Sequence, residues 1–267
     1  MNMFYATITP IEISYCNNIN IFELGENMDR LIEKAKQLHI ELSDEKIEQF
    51  QIYYEMLIDT NKVMNLTAIT ELEEVITKHF LDSLALAVVY PNLFDESKKI
   101  KILDLGTGAG FPGIPLKIAY PHLNIILMDS LNKRVKFLQS VIDRLKLCDI
   151  IAIHGRAEEV GRNAAYREKF DLCVSRAVAN LSTLSEYCIP FVKVGGKCIP
   201  YKSADIEDEI KTAQKAIKVL GGKFIETKKL ILPDSDIERS FIIIEKKKVT
   251  PKVYPRKAGT ASKEPIK

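Results

Sequence analysis

The sequence predicts an α/β protein: a doubly wound, mostly parallel sheet with an antiparallel closing hairpin, preceded by an N-terminal helical cap. Three observations predict it. From Ile100 onward short apolar runs alternate with helical patterns, the signature of β-α-β units. The segment Lys101 to Pro115, KILDLGTGAGFPGIP, reads as a strand running into a glycine loop and a helix start. Before Ile100 the only periodicities are helical.

Residues 1 to 27 show no clear period, and the first helical stripe starts at Met28 with Leu31, Ile32, Ala35 and Leu38, so Met28 is expected to open the globular part. Ser43-Asp44 forms an N-cap for a second helix, whose Ile47, Phe50, Tyr54, Leu57 and Ile58 recur at spacings of three and four. A third helical run, Leu72 to Val89, is reached through Asn65-Leu66-Thr67 and ends before Pro91. Strands are then expected at 100–105, 124–128, 150–154, 170–175 and 195–201, with helices at 112–119, 131–146, 180–190 and 205–219. Two last strands, 224–230 and 240–245, flank the turn-forming Pro233-Asp234-Ser235-Asp236 and close the sheet as a hairpin.

The chemistry starts at the glycine loop. Gly106, Gly108 and Gly110 let backbone N–H groups approach a ligand closely, and Pro112 and Pro115 fit the first turn of the following helix. A dinucleotide fingerprint would need a glycine where Phe111 stands. The pattern Asp104-x-Gly106-x-Gly108-x-Gly110 instead resembles the first motif of class I, Rossmann-like, S-adenosylmethionine-dependent methyltransferases. Asp129 ends the next strand about twenty residues past the glycines, where a carboxylate can take both ribose hydroxyls, and Ser130 and Leu131 follow it as further candidate contacts. The bland alternative is a plain strand-to-helix turn with a surface aspartate.

Ligands of an open α/β sheet gather at the carboxyl ends of its strands, which brings in Ala157 and Glu158 after the third strand and Arg176 after the fourth. The first two suit the adenine end of a cofactor; Glu158 reads equally well as a solvated acid in a helix's first turn. Arg176 can fix a cofactor carboxylate or read guanine O6 and N7, or pair with a neighbouring acid. After that strand stands Arg176-Ala177-Val178-Ala179, not the Asn or Asp with Pro-Pro and an aromatic expected for amino-group methylation. No cysteine follows a proline, which disfavours a C5-pyrimidine nucleophile. Guanine N7 carries a lone pair already and needs alignment without a base. His79, Asp82 and Ser83 recur at helical spacing and can touch cofactor or base, or simply bond along a helix surface; one carboxylate and one His make no metal site.

With 46% hydrophobic and 28% charged residues the chain is ordinary in composition, and no apolar run approaches the length that crosses a bilayer. The start MNMFYATITP lacks the features of a secretory signal, so a cytoplasmic location is expected. Five scattered cysteines read as reduced thiols. Lys246 to Lys267 holds eight Lys or Arg and one Glu, hence +7, which leaves −5 for the rest of a chain whose total is +2. Arg256 and Lys257 in this tail, with Lys133, Arg134 and Lys136 on the helix after Asp129, are candidate phosphate contacts, the alternative being a solvated tail.

Several landmarks together, Asn65-Leu66-Thr67-Ala68-Ile69, His79-Phe80-Leu81-Asp82-Ser83-Leu84, Asp104 to Pro115, Asp129 to Arg134, Ser175-Arg176-Ala177 and Tyr254 to Gly259, closely resemble the bacterial 16S rRNA guanine-N7 methyltransferases, also called glucose-inhibited division protein B. The resemblance runs from about Met28 to the C-terminus. It implies S-adenosylmethionine as donor, a guanine of the decoding-region loop as acceptor, 16S rRNA or the small ribosomal subunit as partner, and cofactor contacts at Gly106, Phe111, Ala157, Glu158 and Arg176. Ala258 and Ala261 stand where the family often has proline, which is expected to loosen the tail. The expected organisation is an extension over 1–27, the cap over 28–98, the methyltransferase domain over 99–248 and the basic tail over 249–267. Neither a metal nor a membrane enters, and a monomer is expected. Two rivals are a small-molecule methyltransferase of the same fold and a non-catalytic nucleotide- and RNA-binding module.

Overall fold

The computed structural model describes residues 21–176, 178–203 and 205–267, with the backbone alone for 21–27. Of the N-terminal extension, residues 1–20 therefore lie outside the described residues.

The cap opens with α1 (Ile21–Gln37), whose backbone starts seven residues before the expected Met28. The spacing Ile21, Leu24, Met28, Leu31 carries the apolar stripe back, but Gly25 interrupts the pattern. In α2 (Asp44–Met64) the buried side chains are Phe50, Tyr53 and Leu57. Tyr54, placed in the stripe from sequence, is only partly buried and gives way to Tyr53. The expected third helix is a broken run: α3 (Leu72–Val75), a π-helical turn (Ile76–Leu81), α4 (Asp82–Leu84) and α5 (Leu86–Val89). Such wide turns are rare and frequently lie at functional sites.

The sheet comprises β1 (Lys101–Leu105), β2 (Asn124–Asp129), β3 (Ile150–His154), β4 (Phe170–Arg176), β5 (Val192–Lys202), β6 (Gly222–Ile231) and β7 (Glu238–Lys246). Their order is β3-β2-β1-β4-β5-β7-β6. β1 to β5 pair in parallel, and β7 runs antiparallel to both neighbours, as the closing hairpin requires. Between the strands lie α6 (Gly113–Ala119), α7 (Asn132–Arg144), α8 (Ala157–Val160), α9 (Leu181–Cys188) and α10 (Glu207–Val219). The Asn180 carboxamide caps α9 by accepting from Thr183 N–H at 3.0 Å, a bond worth about 1 kcal/mol.

Successive strand residues feed opposite faces. Ile102, Ile125, Leu127 and Val174 join the cap helices, α6 and α7 in one core, while Leu103, Leu105, Ile126, Met128 and Cys173 join α9 and α10 in the other. Both faces are thus covered. The cap is tied to the sheet by polar bonds at its rim: Tyr53 Oη donates to the carbonyl of Ala109 at 2.6 Å, and Tyr201 Oη donates to that of Ser83 at 2.9 Å. Among the described residues no helix is long and apolar enough to cross a membrane.

Candidate active site

The crevice lies at the carboxyl edge, over the ends of β1 and β2 and the segment that follows β3. The N–H groups of Gly106 and Thr107 both donate to the Met128 carbonyl, at 2.8 and 3.1 Å, so the loop folds back across β2 before entering α6. Two glycines are required sterically. Gly106 has φ +70°, and a Cβ there would lie 2.6 Å from Val178 Cγ2; Gly110 has φ +110°, and a Cβ would lie 2.5 Å from Ile114 Cδ1 and 2.8 Å from Tyr53 Oη.

Asp104 anchors the loop from below. Its Oδ2 accepts from Thr107 Oγ1 at 2.6 Å and from Gly113 N–H at 2.8 Å, while Oδ1 is buried without a hydrogen-bond partner. Burial lifts its carboxyl to about 7, against the lowering effect of those two donors. Sequence reading used Asp104 only as a landmark of the motif; its spacing before the glycines was the available signal.

Asp129, at the end of β2, is 3% exposed. Oδ2 accepts from Gly108 N–H at 3.0 Å and Oδ1 from Leu131 N–H at 2.9 Å, so backbone bonds fix its orientation and leave lone-pair sites toward the crevice. Arg134 Nη1 lies 3.4 Å from Oδ2, which places this cation against the crevice acid. A first cavity of about 210 Å³ is lined by Leu105, Gly106, Met128, Asp129, Ser130, Gly155, Arg156, Ala157, Glu158, Val178 and Tyr187. The structure therefore brings together Gly106, Asp129, Ser130, Ala157 and Glu158. Gly108 reaches the cavity only by supporting Asp129, Gly110 packs toward the cap, and Leu131 points to solvent as the N-cap of α7. Tyr187, inside α9, carried no local signal; Arg156 stands in the segment after β3 that the sequence places at this edge, but was assigned no contact of its own.

Arg176 lies outside that lining. It faces a second cavity of about 440 Å³, shared with Ile69, Lys78, His79, Asp82, Tyr201, Lys202, Ser203 and Arg239. Its Nη1 donates to Asp82 Oδ2 at 2.8 Å and to the Lys78 carbonyl at 2.9 Å, its Nη2 lies 3.0 Å from His79 Nδ1, and its Cζ sits 5.0 Å from the Phe111 ring centroid. Asp82, 1% exposed as a side chain, also accepts from Arg239 Nε at 2.8 Å. The π-helical turn aims His79 and Asp82 at one guanidinium, whereas Ser83 bonds back to the His79 carbonyl. The His79 ring stacks on Phe111 with centroids 4.5 Å apart and contacts Thr67 Oγ1 through Nε2 at 2.9 Å. Nδ1 also lies 3.1 Å from the Lys78 carbonyl oxygen, so it stands between an acceptor and the permanently charged donor Arg176, from which it can accept only in the tautomer that carries its proton on Nε2. Burial, reinforced by the Arg176 charge, lowers His79 to about 3, so the ring is neutral at physiological pH. Phe111, a predicted cofactor contact, lines neither cavity: it is buried against Tyr53, Phe80 and His79, and its ring backs the Arg176 guanidinium.

The basic candidates separate. Lys133, Lys136 and Lys257 are exposed, but Arg256 is engaged: its guanidinium and N–H all donate to the Glu186 carboxylate, at 2.7–3.1 Å. The tail is docked, and Ala261 is fully buried, contrary to the loosening expected of its alanines. Among the described residues no group of three or more His, Cys, Asp or Glu side chains is arranged to hold a metal ion.

A seven-stranded 3-2-1-4-5-7-6 sheet with a glycine loop and an acid-ended second strand defines the class I methyltransferase fold. The model of one family, the rRNA small subunit methyltransferase G, matches residues 46–237. Curated proteins named ribosomal RNA small subunit methyltransferase G resemble the chain over nearly their whole length. That of Lachnoclostridium phytofermentans is 54% identical over 235 residues, 88% of this chain and 96% of its own. That of Alkaliphilus metalliredigens is 51% identical over 237 residues, 89% and 98% of the two chains, and that of Ligilactobacillus salivarius 51% over 228, 85% and 94%. The chain belongs to this family.

Proposed function

We propose that this protein transfers the methyl group of S-adenosylmethionine to N7 of a guanine in the decoding-region loop of 16S rRNA, acting in the cytoplasm as a monomer on that rRNA or on the small ribosomal subunit. The observation that carries the proposal is the pair of cavities at the carboxyl edge: one walled by glycine and ended by an acid, the other polar, with His79 neutral and the Asp82 carboxylate taken up by Arg176 and Arg239. S-adenosylmethionine supplies an electrophilic sulfonium methyl. Asp129 would hold the ribose hydroxyls, Gly106 leaves room for the chain beside the sulfonium, and Ala157 and Glu158 would flank the adenine.

Guanine N7 attacks with its own lone pair, so the protein has to align acceptor and methyl and need not remove a proton; positioning of this kind supplies about 7–11 kcal/mol. A cation donating to N7 would block the nucleophile. Arg176, held by Asp82, the Lys78 carbonyl and His79, can offer its remaining N–H groups to O6 while N7 faces the methyl. Neutral His79 acts as acceptor for Arg176 rather than as a base. Lys133, Lys136 and Lys257 would meet phosphates.

Transfer of labelled methyl to naked 16S rRNA, intact small subunits and a small-metabolite extract tests the proposal. Label at guanine N7 of the rRNA is expected. Label confined to metabolites, or donor and RNA binding without transfer, would establish one of the two rivals instead.

A further inference from the structure

The tail reads in sequence as a free basic appendage, yet its backbone is held by side chains of the methyltransferase domain. Arg167 donates to the carbonyls of Thr250, Pro251 and Tyr254 at 2.7–3.3 Å, and Arg162 to those of Val253 and Pro255 at 3.3 and 2.9 Å. Thr250 N–H donates to Glu168 Oε1 at 2.8 Å. Beyond Gly259 the short helix α11 (Thr260–Lys263) lies on α9, where Thr183 Oγ1 donates to the Ala261 carbonyl at 3.0 Å.

Two of the anchoring acids belong to the walls of the first cavity. Glu158, on α8, lines the cavity and accepts from Gly259 N–H at 2.9 Å through Oε1. Glu186, with its side chain 1% exposed, binds Arg256 and directly precedes Tyr187, which also lines the cavity. Behind α8, a Cβ on Gly161 would lie 3.2 Å from Pro255 Cγ, so the tail closes the space into which that wall could retreat. With Oε1 of Glu158 bonded to Gly259, its Oε2 is the oxygen available to a donor ligand's N–H or hydroxyl.

We infer that Tyr254 to Gly259 is a positioning element of the donor site, setting Glu158 and Tyr187 against the adenosine half of the ligand, so that tail docking and donor binding reinforce each other. The inference rests on reading the first cavity as the donor's. Arg256 is its positioning residue: it touches no ligand and acts through Glu186. Coupling of this kind is reciprocal, because whatever factor docking adds to ligand affinity, ligand must add to docking.

The experiment uses the full chain and S-adenosylhomocysteine as probe. Calorimetry on Arg256→Ala is expected to show affinity about tenfold weaker, with Lys252→Ala, an exposed tail cation outside that element, unchanged. Amide hydrogen exchange on the wild-type protein is expected to slow by a similar factor over residues 256–261 when the probe saturates it. The exchange arm needs no variant and decides alone if Arg256→Ala does not fold. A folded Arg256→Ala binding within twofold of wild type, or tail exchange indifferent to the probe, would overturn the inference. If the wild-type chain bound no probe at all, the donor reading of the cavity would fall, and this inference with it.

Discussion

Replacing Asp82 by Asn keeps the volume of the side chain and removes its charge from between two guanidiniums. In the wild type each carboxylate oxygen accepts one charge-assisted bond of 2.8 Å, from Arg176 and from Arg239. An Asn oxygen can serve only one of them, and its NH₂ then faces the other as donor against donor. A bond to a charged group contributes about 1.5–3 kcal/mol, and breaking a fully buried pair costs about 3–5. Since the arginine side chains are 15% and 23% exposed, water relieves part of the loss, and about 2–3 kcal/mol is expected. For a protein of this size that lowers Tm by about 4–12 °C. Denaturant unfolding with an unchanged m-value reads the stability. The functional consequence is sharper: with Arg176 unfixed, kcat/KM for the RNA should fall about 100-fold while donor affinity stays within about threefold. Because Asp82 acts through Arg176, the double variant with Arg176→Ala should transfer no more slowly than Arg176→Ala alone. Multiplicative losses, or an Asp82→Asn enzyme with wild-type transfer, would refute the assignment.

Gly106→Ala places a methyl into Val178 at a positive φ and should weaken donor binding by tenfold or more while the fold persists, whereas Gly108→Ala, with open space at its Cβ, meets only backbone strain of about 1–2 kcal/mol; equal donor affinities in the two would count against the crevice geometry. Asp104 holds a proton when folded up to about pH 7 but loses it near 4 when unfolded, so its ionisation withdraws stability as pH rises from about 4 to 7. Asp104→Asn, a mimic of the protonated form, should therefore gain on the wild type across that window, by at most about 4 kcal/mol, and level off above it; parallel pH–stability curves would disprove the raised carboxyl. Lys133→Ala/Lys136→Ala should weaken RNA binding and lower the slope of log affinity against log salt by about 1.4–1.8, and an unaltered slope would remove these cations from the interface.

The mostly parallel sheet with its closing hairpin and the acid of β2 were legible because they follow from short-range patterns: apolar strands alternating with helical stripes, a glycine loop after the first strand, and an acid one β-α unit later. What the sequence concealed is set by tertiary packing. Tyr53 rather than Tyr54 faces inward because its hydroxyl finds the Ala109 carbonyl, a partner 56 residues away. The broken run from Leu72 to Val89 has an unremarkable helical period, and nothing local marks the wide turn from which both His79 and Asp82 meet Arg176, 97 and 94 residues later. Arg256 looked like a phosphate ligand because nothing local marks Glu186, 70 residues earlier, as its buried partner. Arg176 was placed on the correct edge, but the cavity it serves depends on the cap, whose docking no motif encodes.

The most direct test of the account is calorimetry of the full chain with S-adenosylmethionine, with the wild type and Asp129→Ala compared side by side. The account predicts one site per chain in the wild type, an affinity reduced at least 100-fold in the variant, and an unfolding transition still cooperative without ligand. Equal affinity in the two proteins would contradict it, since the acid at the end of β2 would then hold nothing.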